Sequence, residues 1–157
     1  MILRAGLAGL CGAIAVATCC TACTSPADEL RPTAVKAARD IAAKALTRLR
    51  AATPPMPASI DRATTEIVPE ANYVGGTVLL GKDVPATGRF TARFAFVTLV
   101  GNGVSGQYEQ VAGRLCVSYS GDLDHPGTVE MADLTCPPGL PGPDNGVPVD
   151  REIKLAD

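Results

Sequence analysis

From Thr33 to Ala52 the chain runs without a glycine or a proline, and alanine dominates the stretch. Within it Ala34, Val35, Ala38, Ile41, Ala42, Ala45, Leu46 and Leu49 recur at the spacing of one helix face. Lys36, Asp40, Lys44 and Arg48 follow one another at intervals of four on the other side, with Asp40 ahead of Lys44 in the favourable order. An amphipathic helix is therefore predicted. Ser25-Pro26-Ala27-Asp28 supplies a start: a capping serine, a proline at the first position and an acid in the first turn. Pro32 offers a second start. Thr53-Pro54-Pro55-Met56-Pro57 ends the helix, because each proline disfavours helical backbone at the residue before it.

The chain then changes character. Residues 53–59 read as a proline-rich linker and 60–157 as a small β-rich domain. The segment from Ser59 to Asn72 is mixed, open to a short helix or an early strand. Tyr73 to Leu80 is expected as a strand, weakened or bulged at Gly75-Gly76. Arg89 to Val100 carries the clearest alternation, with Phe90, Ala92, Phe94, Phe96 and Val100 on one face. Gly101-Asn102-Gly103 is expected to turn the chain. Gln107 to Ser120 supplies one or two further strands and Thr128 to Thr135 another. Residues 137–148 are rich in proline and glycine and are expected to be irregular. Val149 to Leu155 alternates again and suits a sheet edge. The predicted class is α+β: an N-terminal helix with a small antiparallel sheet.

With 157 residues the chain has room for one domain, and its net charge of −2 excludes a strongly basic nucleic-acid binder. The charge is unevenly placed. Residues 28–52 hold six bases against three acids, whereas 53–157 hold seven bases against thirteen acids. A basic amphipathic helix can lie on anionic headgroups. Its alanine face inserts weakly into lipid, however, so packing against its own sheet is the expected arrangement.

The first residues carry an address. One base, Arg4, precedes Ala5 to Ala17, an uncharged run of the length of a signal-peptide core and too short for a membrane span. Cys20-Thr21-Ala22-Cys23 then resembles the bacterial lipobox, with Thr21, Ala22 and Cys23 matching and Cys20 standing where leucine is usual. The resemblance implies cleavage after a signal of residues 1–22 and a covalent diacylglyceryl lipid on the Cys23 thiol, with Cys19 the second candidate. Residues 23–52 then form the anchor cysteine and basic helix. It implies the outer face of the bacterial cytoplasmic membrane, with the bilayer as a partner through the anchor. Secretion is the alternative. Two acyl chains hold stably where one does not.

Six cysteines are accounted for in this way. Cys11, Cys19 and Cys20 leave with the signal and Cys23 takes lipid. Cys116 and Cys136 remain, an even number in an oxidising compartment, and a disulfide between them is expected.

Sequence signals for further chemistry are sparse. Gly101 to Gly106 matches G-x-G-x-x-G, yet strand-forming residues follow it instead of the helix a dinucleotide site needs. Asp122, Asp124, Glu130 and Asp133 resemble the acid spacing of a calcium loop and form a candidate weak ion site, although Pro126 falls at a ligand position. Two cysteines with a single histidine, His125, make a poor metal set, and no metal centre or other cofactor is expected. His125 lacks an evident orienting acid and there is no G-x-S-x-G elbow, so no catalytic residue is assigned. Tyr73, Tyr108 and Tyr119 are expected to pack inward. The favoured expectation is a non-enzymatic envelope lipoprotein that binds a protein or small ligand. A secreted disulfide-stabilised inhibitor or binding protein is the first alternative, and a small hydrolase using residues 121–133 the second.

Overall fold

The structure is a computed structural model that describes residues 25–70, 76–104, 107–143 and 146–156. Two helices come first, α1 (Pro26–Arg50) and α2 (Met56–Glu70). Five strands follow: β1 (Thr77–Asp83), β2 (Arg89–Val104), β3 (Gln107–Asp122), β4 (Glu130–Asp133) and β5 (Val149–Ile153). They form one sheet in the order β1-β2-β3-β4, with β5 also on β3, and the class is α+β.

Helix α1 starts where its cap dictates. Asp28 donates its backbone N–H to the Ser25 hydroxyl, and the Asp28 carboxylate accepts from the Ser25 N–H, a reciprocal pair that satisfies two otherwise orphaned donors. Pro32 lies inside the helix and does not begin it. The predicted apolar stripe is the buried face: Ala34, Ala38, Ala42, Ala45 and Leu49 are buried and Val35, Ile41 and Leu46 flank them. Alanine at four of these positions lets the helix backbone approach the sheet closely. Tyr119 takes advantage of that approach, donating its phenolic proton to the Ala42 carbonyl at 2.9 Å.

The sheet offers α1 its even-numbered β2 residues. Phe90, Ala92, Phe94 and Phe96 lie in the main core, facing Gly121, Tyr119, Val117 and Leu115 of β3 across the ladder. Phe94 meets Tyr119 edge-to-face at a centroid distance of 5.9 Å. Val100 continues the face in a smaller cluster with Leu30, Ala34 and Val111. Buried Thr98 sits between the two and donates to the Ala34 carbonyl at 3.0 Å.

Three features depart from the sequence-based expectation. The Gly101-Asn102-Gly103 segment does not turn: β2 and β3 stay paired through Gly103–Tyr108 to Val104–Gln107. Local hairpin preference loses there to the continuing ladder. Of the two options open for 59–72 the helix is the one formed, but α2 begins at Met56, inside the stretch expected to be a linker. Ile60 and Ile67 of α2 enter the core. Third, β5 does occupy a sheet edge but runs parallel to β3, pairing Ala112 with Val149 and Leu115 with Ile153.

The disulfide is present. Cys116 and Cys136 are joined across a separation of 20 residues, with Cα atoms 5.4 Å apart. It lies on the sheet face away from α1, where Ala95, Val78, Leu80, Leu134 and Leu140 cover it. Arg114 clamps the following segment by donating to the Leu140 and Pro141 carbonyls at 3.0 and 2.7 Å. Residues 137–143 and 146–148 form neither helix nor strand, as their composition led one to expect.

Candidate functional site

The loop from Gly121 to Glu130 holds most of the residues singled out for chemistry. It is fastened by buried Leu123, whose N–H donates to the Gly88 carbonyl at 2.9 Å, and by buried Val129. Between these anchors Asp122 shapes the turn, its Oδ1 accepting from the Asp124 N–H at 2.9 Å. His125 is exposed, with Nδ1 3.9 Å from Asp122 Oδ2. Residues Pro126–Thr128 form a single 3-10 turn closed by the Thr128 hydroxyl on the His125 carbonyl at 2.6 Å.

The four acids of the candidate ion site are spread over the loop and β4. Asp124 and Glu130 are exposed, and Asp133 lies on β4, where its Oδ1 accepts the Leu155 N–H at 2.9 Å. Among the described residues no three His, Cys, Asp or Glu side chains are placed to hold a metal ion. The last of these acids lies on a strand, and Asp133 is used by the Leu155 N–H. Within this loop Asp122 is used in the turn and the His125 ring is exposed. Cys116 is bridged, buried and on the other strand face.

A different constellation emerges beside the first turns of α1. Arg31, Pro32, Val35, Lys36, Arg39 and Asp40 line a groove of about 460 Å³, which Arg151 of β5 completes from across the chain. Arg39 is held in place by two donations to the Lys154 carbonyl, at 3.1 Å from Nε and 2.6 Å from Nη2. Lys36 Nζ lies 2.9 Å from Asp40, and Arg31 pairs with Asp28. The hydrogen bonds from Ser25 hold the Asp28 carboxyl below the usual carboxylate range, with Arg31 adding its charge. Four bases and one acid thus line the groove, with Lys36 paired to that acid, Asp40, and Arg31 to the neighbouring Asp28. Sequence reading identified the basic helix but not the contribution of Arg151, because nothing local tells a β-strand which helix it will adjoin.

Cys23 and Cys19, the candidate lipid acceptors, lie outside the described residues, as do the signal segment 1–22 and Tyr73. Among the described residues no helix is long and apolar enough to cross a membrane. Comparison of the chain with models of known families, with curated proteins and with solved structures finds no match.

Proposed function

We propose that the chain is exported and held at the outer face of the cytoplasmic membrane by acylation of Cys23, where its α+β domain acts as a non-enzymatic binding or accessory module. The observation that carries the reading is the buried Cys116–Cys136 disulfide. Such a bridge persists in oxidising compartments and is rare where thiols are kept reduced. It supports export, and the Thr21-Ala22-Cys23 motif supplies the means of retention.

The start of α1 adds a second support. Its cap, Ser25, follows Cys23 by two residues, so the folded domain begins close to the acylated position with almost no tether. A short attachment confines the domain to the membrane surface and raises its effective concentration toward partners there. Intact mass and peptide mapping of the mature protein test the proposal. The expected result is an N-terminal Cys23 bearing the diacylglyceryl group, with residues 1–22 removed. An unmodified terminus near Thr18 overturns it in favour of secretion.

A further inference from the structure

We infer that the groove between α1 and β5 is the surface on which the domain rests against anionic lipid, receiving headgroup phosphates between Arg31, Lys36, Arg39 and Arg151. The inference deepens the anchoring proposal and rests on it. Three observations lead there.

The first is position. Arg31 lies five residues beyond Pro26, about 8 Å of helix rise, and the screening length at physiological ionic strength is also about 8 Å. The anchor at Cys23, three residues before Pro26, therefore keeps the near end of the groove toward the membrane. The second is charge complementarity. Arg31, Lys36, Arg39 and Arg151 outnumber Asp40 and Asp28, the acids paired with Lys36 and Arg31, and arginine presents paired donors that match phosphate oxygens. Residues 53–157 carry thirteen acids against seven bases, so the bulk of the domain is repelled by the same surface that attracts the groove. The two forces orient the molecule with the basic end down. The third is that the alanine face of α1 is already occupied by the sheet, which leaves its basic side outward. Pro32 and Val35 supply a small apolar wall suited to the interfacial level of a bilayer.

The test uses the full chain, matured in a bacterial host and reconstituted into vesicles of phosphatidylcholine alone or with phosphatidylglycerol. Flotation with the neutral vesicles reads the anchor. Labelling of lysines by a membrane-impermeant amine reagent reads the groove, since the Lys36 side chain is 78% exposed before contact. The expected result is at least threefold slower labelling of Lys36 on anionic than on neutral vesicles, reversed by high salt, with Lys82 on β1 unchanged. Arg151→Glu, on an exposed residue, is expected to abolish the protection without loss of flotation. Equal Lys36 labelling on both vesicles, or equal slowing at Lys82, overturns the inference. Protection by soluble glycerol phosphate on neutral vesicles overturns it too, in favour of a free phosphorylated ligand. Failure to float on neutral vesicles sinks the anchoring proposal instead. The groove is then read from flotation on anionic vesicles: a loss of about fivefold with Lys36→Gln, the effect of one base at such a surface, sustains it, and no loss overturns it.

Discussion

The Tyr119 hydroxyl on β3 donates to the Ala42 carbonyl on α1 at 2.9 Å, a buried polar bond that ties the helix to the centre of the sheet. Tyr119→Phe removes the donor and leaves the ring packing against Phe94. The carbonyl retains its helical partner, so the expected loss is about 1 kcal/mol. For a domain of this size that lowers Tm by roughly 4 °C, to be read by thermal unfolding.

Burial pushes the Tyr119 phenol far above its ordinary value. A raised value in the folded state means that the stability it confers is complete below the unfolded value of about 10. It is lost as pH climbs beyond that point. Alkaline titration of tyrosine absorbance should therefore leave the Tyr119 phenol un-ionised until the protein unfolds, and in Tyr119→Phe its contribution to the late step should vanish. A Tyr119 that titrates near its ordinary value in the folded protein contradicts the expectation.

Gly113 faces Ile153 at the parallel junction, and a Cβ built at residue 113 stands 2.5 Å from Ile153 Cδ1. Gly113→Ala is expected to destabilise by about 1–3 kcal/mol, the usual range for an overfilled core. Ile153→Val alone costs about 1 kcal/mol through its lost methyl. Because that methyl is the obstructing atom, the double variant should be more stable than the two single effects added together. Denaturant unfolding of all four proteins measures the coupling, and strict additivity refutes the contact.

Cys116 and Cys136 close a loop 20 residues apart. In the chain-entropy account such a link stabilises by about 3 kcal/mol. The double change to alanine should lower the denaturant midpoint and steepen the slope, because the uncrosslinked unfolded chain exposes more surface. Since the sulfurs are covered by Leu134 and Leu140, reductant should open the native bridge far more slowly than the unfolded one.

At the start of α1, Ser25 lowers the Asp28 carboxyl below its ordinary range through hydrogen bonds. A depressed carboxyl contributes stability above the unfolded value, and that contribution disappears as pH falls through the folded one. Ser25→Ala is expected to move the Asp28 midpoint upward, followed by carboxyl NMR, and to fray the first turn. An unmoved midpoint refutes the cap.

Much of the fold is legible in sequence, for identifiable reasons. The α1 stripe reads correctly because one helix face is buried and the other wet, which imposes a 3.6-residue period on residues 34–49. Phe90 to Phe96 reads correctly for the matching reason in a strand. Ala95 blurs that alternation because Leu134 and Leu140 cover the second sheet face, a long-range contact with no local mark. The parallel pairing of β5 was hidden likewise, since strand direction depends on the route of the chain through residues 134–148. Asn102-Gly103 misled by carrying a strong turn preference where the ladder prevails. The candidate site was half visible: the helix bases stand out, whereas Arg151 joins them only through the fold.

Arg39 reaches the Lys154 carbonyl across 115 positions of sequence. That closure has a meaning in time. A chain delivered end-first cannot seat this edge of α1 until residues beyond 150 have arrived, and contacts of such separation are slow to form. In a chain made from its N-terminus, this edge of α1 is consequently among the last parts of the domain to lock. Amide exchange in a nascent chain stopped before Val149 should find the α1 residues beside β5 unprotected, and early protection there would contradict the sequence of events.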